Sequence, residues 1–123
     1  MKILTWALQI ILALVFYAAS ISKFITPYEE MIVDPNLLWT NDFSIITIWM
    51  IGVLEFLGAT GVTLPMILKR NLSLVPISAV GLSMTMIGAI ATHVGRNEPF
   101  ILPVILLIIA VSVVYLRREL FFE

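Results

Sequence analysis

The residues of this sequence that could do chemistry are ionisable side chains lying in or beside long apolar runs. They are Lys23, Glu55, His93, Arg96 and Glu98. Placing a charge near the centre of an apolar membrane helix costs roughly 3 kcal/mol, so such a residue usually faces protein or a water-filled cavity. Carboxylate, imidazole and ammonium groups held there can transfer protons or bind a polar ligand. We therefore take these residues as candidates for ligand or partner binding.

Glu55 interrupts an otherwise uncharged run over residues 43–68. Helical spacing places Gly52, Gly58 and Ala59 on its face, and small residues let a neighbouring helix approach closely. We therefore expect Glu55 to point into a helical bundle. There it could accept a proton or bind a ligand, or it could be a neutral buried acid or half of a buried ion pair.

Lys23 follows 20 residues that carry no charge. It shares a helical face with the small residues Ala19 and Ser20, which favours an inward position from which its ammonium could reach Glu55. The alternative is an interfacial lysine whose side chain extends to the membrane surface.

His93 ends a third apolar run, and Arg96 and Glu98 follow it closely. A base, a cation and an acid within six residues could form a polar site at one membrane surface. His93 could equally be an ordinary interfacial histidine. Because the chain has one His and no Cys, we expect no metal site and no haem with two histidine ligands.

The composition assigns the chain to the membrane. Hydrophobic residues make up 61 % of the sequence and charged residues 12 %, against about 25 % charged in soluble domains. A net charge of −1 argues against nucleic-acid binding. The absence of cysteine excludes disulfides and thiol redox chemistry within the chain. A soluble enzyme is therefore excluded, and the first partner we expect is the lipid bilayer.

Four apolar windows are each long enough to cross a bilayer core of about 30 Å as a helix. They predict one membrane domain over residues 1–123, with spans at about 4–25, 43–66, 73–94 and 99–117. The predicted fold class is all-α, a polytopic membrane four-helix bundle. In the first connection, Thr26-Pro27 and Asp34-Pro35 are typical helix starts. We therefore predict short capping turns over the outer end of the bundle.

The basic residues predict the orientation. Five of the seven fall at the N-terminus, in the second connection and at the C-terminus: Lys2, Lys69, Arg70, Arg117 and Arg118. With four spans these positions share one side, and basic residues concentrate on the cytoplasmic side. Both termini are therefore expected in the cytoplasm, with His93 and the first connection outside.

Several stretches resemble the DoxX-like family of small four-helix membrane proteins, and together they extend over most of the chain. They are Ala18-Ala19-Ser20-Ile21-Ser22-Lys23-Phe24, Ile51-Gly52-Val53-Leu54-Glu55-Phe56-Leu57-Gly58, Gly81-Leu82-Ser83-Met84-Thr85-Met86-Ile87-Gly88-Ala89, and His93 with Arg96-Asn97-Glu98. The resemblance implies a four-helix bundle in a bacterial cytoplasmic membrane. It also implies a link to quinol oxidase or thiosulfate–quinone systems, to membrane redox complexes or to assembly-chaperone roles. It supports Lys23, Glu55, His93 and Glu98 as site candidates.

Three functions follow from these observations. No complete catalytic or cofactor motif is visible, so the sequence favours a non-catalytic accessory or assembly subunit. Such a subunit would bind a protein partner, or a second copy, at the outer polar cluster around Lys23, His93 and Glu98. The alternative is a quinone-linked oxidoreductase subunit, in which His93 donates a hydrogen bond to a quinone carbonyl while Lys23 and Glu55 handle the proton. Its electrons would come from a partner. A small transporter is the third hypothesis.

Overall fold

The computed structural model describes residues 2–123, and within that range it contains helices and connections without strands. The helices in chain order are α1 (Lys2–Ile25), α2 (Tyr28–Met31), α3 (Ile45–Gly61), α4 (Leu64–Leu68), α5 (Leu74–Gly95) and α6 (Ile101–Leu116). Two 3₁₀ helices, Leu38–Asp42 and Arg118–Phe122, complete the described chain. The predicted all-α fold, with short helical turns in the first connection, is confirmed.

The four long helices form a closed ring. Helix α1 packs on α3, α3 on α5 and α5 on α6, and α6 also contacts α1. Three segments are long and apolar enough to cross a membrane: α1, α3 continued by α4, and α5. Helix α6 is also apolar, but its 16 residues extend only about 24 Å at 1.5 Å per residue.

The second span is broken near its end. Helix α3 ends at Gly61 and α4 begins at Leu64, with Pro65 in the first turn of α4. Proline has no backbone N–H to donate and its ring collides with the preceding helical turn, so it is tolerated at a helix start and not within one. The break therefore lies just before Pro65.

The two ends of the bundle differ. We call one end the terminal end; it contains Lys2, residues 62–73 and Arg117. We call the other the capped end; it contains residues 26–44 and 96–100. Buried apolar side chains from all four long helices fill the terminal half, among them Leu12, Val75, Ala79, Ala110 and Val113. Large apolar side chains on the outer faces are exposed, as expected of helices that face lipid.

Glycines set the spacing of α3 and α5 in the terminal half. A Cβ atom added to Gly58 would lie 2.5 Å from Leu82 Cδ2, and one added to Gly61 would collide with Ser78. Farther along α5, a Cβ atom added to Gly88 would have no neighbour within 4 Å. The two helices are thus in close contact at Gly58 and Gly61.

Gln9 links three segments at the terminal end. Its side chain is fully buried; its amide group donates to the Val62 carbonyl at 2.6 Å, and its Oε1 accepts from Arg117 Nε at 3.0 Å. Both functional groups of this buried amide are therefore satisfied, and the ends of α3 and α6 are held against α1.

Candidate functional site

The capped half of the bundle encloses a cavity of about 790 Å³, which is called the capped cavity. Its walls come from α1, α3, α5 and α6, and its roof comes from residues 31–43. The lining is mostly apolar, with Lys23, Glu55 and His93 as its ionisable members. Ligand pockets commonly have volumes of about 300–1,000 Å³ with a few polar groups on apolar walls. The capped cavity has the size and character of such a pocket.

Lys23 and Glu55 meet on the wall of the cavity. Lys23 Nζ lies 2.7 Å from Glu55 Oε1, and the two side chains are 14 % and 5 % exposed. Glu55 Oε1 accepts no hydrogen bond of ordinary angular geometry. The contact is therefore a close ion pair rather than a well-directed hydrogen bond. Lys23 Nζ also lies 5.8 Å from the centroid of the Trp39 ring, within cation–π range.

Gly52 explains how the pair forms. A Cβ atom added to Gly52 would lie 3.0 Å from Phe24 Cε1 and 3.5 Å from Lys23 Cβ. The missing side chain lets the last turn of α1 approach α3 one turn before Glu55. Lys23 is thereby placed opposite Glu55.

The roof is held by hydrogen bonds to its own backbone. Tyr28 donates its hydroxyl hydrogen to the Phe43 carbonyl at 2.9 Å, and Asn41 donates to the Ile32 carbonyl at 2.9 Å. Thr40 is buried and donates to the Leu37 carbonyl at 2.6 Å. The first connection is therefore a folded cap rather than an extended loop.

The second connection folds Glu98 back onto His93. Asn97 adopts a left-handed conformation with φ of 57°, and the Glu98 N–H bonds to the His93 carbonyl at 2.9 Å. This arrangement is a Schellman-type helix end, which asparagine tolerates better than most residues. As a result, His93 Nδ1 lies 3.0 Å from Glu98 Oε1.

Arg96 joins the second connection to the roof. It donates from Nη1 to Asp42 at 2.9 Å and from Nε to Glu98 Oε2 at 3.2 Å. The hydrogen bonds to Asp42 and then to Glu98 raise the pKa of Arg96. Partial desolvation favours the neutral form of Glu98, but the hydrogen bonds from Arg96 and His93 outweigh it and lower the pKa of Glu98. The carboxylate of Glu98 is therefore ionised at neutral pH.

The structure divides the predicted site residues into two groups. Lys23, Glu55 and His93 line the capped cavity, whereas Arg96 and Glu98 lie outside its lining and connect His93 to the roof. Because a carboxylate can only accept, Nδ1 of His93 carries the hydrogen in this contact. The hydrogen bond to Glu98 thus occupies Nδ1 and leaves Nε2 as the other ring nitrogen of His93.

Several residues of the site were not predicted. Asp42 pairs with Arg96, and the Trp39 ring lies 5.8 Å from Lys23 Nζ. Thr85 and Thr92 line the cavity. These residues lie on a helical stripe of small and polar residues, which close helix packing also explains.

Several residues that line the cavity are also exposed. They are Ser22, Leu54, Gly88 and Leu102 on the long helices, and Asn36 and Pro99 at the capped end.

Long apolar helices around a cavity with a few ionisable side chains define the class: a multi-pass membrane protein in contact with the lipid bilayer. A sequence model of the DoxX-like family matches residues 7–114, so this chain belongs to the DoxX-like family. The resemblance found in the sequence is thereby confirmed. Comparison with curated proteins and comparison with solved structures each gave no match.

Proposed function

We propose that the protein binds a quinone-class ring in the capped cavity and serves as an accessory, non-catalytic subunit of a membrane redox complex. The supporting observation is a cavity of about 790 Å³ with apolar walls and the Lys23–Glu55 ion pair on one side. The apolar walls suit the ring and the start of its hydrocarbon tail. The ion pair provides a donor and an acceptor for a ring oxygen.

The position of the ion pair suits proton exchange with such a ligand. Lys23 can donate a hydrogen bond to a ring oxygen, and Glu55 can accept a proton from a hydroxyl group. Their side chains are largely withdrawn from solvent, so these interactions are stronger than they would be in water. Gly88 and Ser22 line the cavity and are exposed, and we propose that a ligand dissolved in the bilayer reaches the pair beside them.

The accessory role rests on composition and on the surface of the roof. The sequence has no cysteine and one histidine, so we propose that a partner supplies the electrons. Lys23 and His93 line the cavity, whereas Arg96 and Glu98 lie outside its lining. The exposed acids Glu29 and Glu30, on α2 beside the roof, are the surface we propose for the partner.

We also propose that the protein lies in a bacterial cytoplasmic membrane with both termini in the cytoplasm. The distribution of basic residues supports this orientation, because Lys69, Arg70, Arg117 and Arg118 all lie at the terminal end. The capped cavity and its roof would then be near the outer surface.

The ligand proposal is tested by the fluorescence of Trp39, which lines the cavity. In a Trp6→Phe, Trp49→Phe background, a short-chain benzoquinone added to protein in lipid nanodiscs should quench Trp39 saturably. Ala89→Phe, which fills the cavity, should abolish saturation. Ala91→Phe is the matched control, because Ala91 is exposed and lies outside the lining. Quenching that rises linearly, or that Ala89→Phe leaves unchanged, contradicts the proposal.

The accessory role is tested by purification in mild detergent from its native membrane. A stoichiometric redox protein should accompany the chain, and replacing Glu29 and Glu30 by Gln should weaken the association. A chain that is always recovered alone contradicts the accessory role. Retained quinone in that preparation would still support the binding proposal.

A further inference from the structure

The salt bridges of the protein are concentrated in the capped half. Four form among residues 2–123: Lys23–Glu55, His93–Glu98, Arg96–Glu98 and Arg96–Asp42. The terminal end carries five basic residues, and within the described chain none of them forms a salt bridge: Lys2, Lys69, Arg70, Arg117 and Arg118. Its acids are Glu119 and Glu123, so positive charge is in excess there. An anion from outside the chain is therefore the electrostatic complement of this end.

Arg117 differs from the other four basic residues in its surroundings. Their side chains are exposed, whereas Arg117 is half-buried, and its Nε donates to Oε1 of the buried Gln9 at 3.0 Å. Nη2 of Arg117 is buried without a hydrogen-bond partner. Nη1 also has no hydrogen-bond partner among the described residues, but it is not buried. The guanidinium group thus has one neutral acceptor, no carboxylate, and one accessible nitrogen that can donate to a ligand.

The shortness of α6 places Arg117 near the hydrocarbon region of a bilayer. The 16 residues of α6 extend about 24 Å at 1.5 Å per residue, and the hydrocarbon core is about 30 Å thick. A helix of this length that begins at one edge of the core ends about 6 Å short of the other edge. Arg117 follows α6 directly, so the phosphates of the lipid headgroups are the anions nearest to its level. An unpaired cation at this depth is costly, and a phosphate group that reaches it lowers that cost.

The neighbouring Arg118 has partners within the chain. Its Nη1 donates to the Tyr115 carbonyl at 2.7 Å, and its guanidinium carbon lies 4.1 Å from the centroid of the Tyr115 ring. Guanidinium groups bind phosphate oxygens strongly, because their N–H groups are fixed in one plane and carry positive charge. Arg118 directs this group at its own backbone and at an aromatic ring, whereas Arg117 retains an N–H group for an external anion.

We propose that Arg117 binds the phosphate group of an anionic phospholipid at the terminal end of the bundle. Nη1 donates to a phosphate oxygen while Nε remains bonded to Gln9, whose amide group donates to the Val62 carbonyl at 2.6 Å. The lipid is thereby linked to α1 and to the end of α3. Lys69 and Arg70 lie at the same end, and their charge favours a lipid with net negative charge over a zwitterionic one. The lipid site does not depend on what occupies the capped cavity.

Native mass spectrometry of the full chain in mild detergent tests the lipid preference. Phosphatidylglycerol and phosphatidylcholine with identical acyl chains are added separately, and the dissociation constant of the first bound lipid is measured for each. Phosphatidylglycerol should bind at least about fivefold more tightly, the ratio that corresponds to about 1 kcal/mol for one basic residue. Equal dissociation constants overturn the proposal. Inorganic phosphate is the probe for a soluble ligand, and saturable phosphate binding without a preference between the two lipids also overturns the lipid assignment.

Paired variants distinguish a site at Arg117 from the diffuse charge of the terminal end. Arg117→Gln should abolish most of the preference for phosphatidylglycerol, whereas Arg118→Gln, which removes the same charge one residue later, should change it less than about twofold. Equal losses in both variants overturn the assignment to Arg117. Arg117→Lys and Arg118→Lys keep the charge and remove the planar guanidinium group, so they give the same comparison should Arg117→Gln fail to fold. Arg117→Lys should weaken phosphatidylglycerol binding and Arg118→Lys should not, and equal binding by the two overturns the assignment.

Discussion

Replacing Lys23 or Glu55 singly by methionine should destabilise the protein strongly, whereas replacing both should not. The ion pair is 2.7 Å long, and its side chains are 14 % and 5 % exposed. Removing one member of a buried pair leaves an uncompensated charge and typically costs about 3–5 kcal/mol of unfolding free energy. Replacing both members by apolar side chains of similar volume is often neutral, so the double variant should lie within about 1 kcal/mol of the parent.

The two single variants should not be equivalent. In Glu55→Met the ammonium of Lys23 still lies near the Trp39 ring, 5.8 Å from its centroid. In Lys23→Met the Glu55 carboxylate loses its cation and Trp39 loses its contact with the ammonium. Because a cation–π contact contributes about 0.5–2 kcal/mol, Lys23→Met should be the more destabilised variant by about that amount.

The assay is reversible unfolding by SDS from mild-detergent micelles, followed by the helical circular dichroism signal. Lys2→Met is the matched control, because Lys2 is an exposed lysine at the other end of α1. The coupling between Lys23 and Glu55 should reach at least about 2 kcal/mol. A double variant whose loss equals the sum of the two single losses would refute the reasoning. A double variant that folds normally but no longer binds ligand would separate the functional role of the pair from its structural one.

Three further perturbations have defined outcomes. Gln9→Leu removes both side-chain hydrogen bonds at the terminal end and leaves Arg117 without its acceptor, so the unfolding free energy should fall by about 2–4 kcal/mol in the same SDS assay. Gly58→Val should lower it by about 1–3 kcal/mol through overpacking, whereas Gly81→Val, where a Cβ atom has no neighbour within 4 Å, should not. Glu98 has a lowered pKa in the folded protein, so its stabilising contribution is complete above the ordinary glutamate value of 4.5 and is lost as the pH falls through the folded value. Thermal melts between about pH 6 and pH 3 should show this loss in the parent and a flatter profile in Glu98→Gln.

The sequence predicts the helical architecture well because the bilayer imposes a simple rule on length and polarity. A continuous apolar run long enough to cross the membrane must form a helix, since no other backbone satisfies its hydrogen bonds there. Details of the fold that depend on side-chain contacts are harder to predict from the sequence. The break after Gly61 is an example, because Pro65 predicts a disruption near this position but the exact residues depend on how α4 packs.

The candidate site was predictable to the extent that it depends on helical spacing. Gly52 and Gly58 on the face of Glu55 indicate an inward direction, which is the direction observed for a residue only 5 % exposed. The return of Glu98 to His93 depends on a left-handed backbone at Asn97, and the approach of Asp42 to Arg96 depends on the folding of the roof. These are tertiary properties, and they determine which nitrogen of His93 is left for the cavity.

The lining of the capped cavity limits what could occupy it, because apolar walls surround the Lys23–Glu55 ion pair. Water satisfies Lys23 and Glu55 but gains little from the apolar walls, whereas a lipid chain fits the walls and leaves the ion pair and the threonine oxygens unmatched. An amphiphile with a polar ring and an apolar tail, the kind of ligand proposed above, would match both the ion pair and the apolar walls.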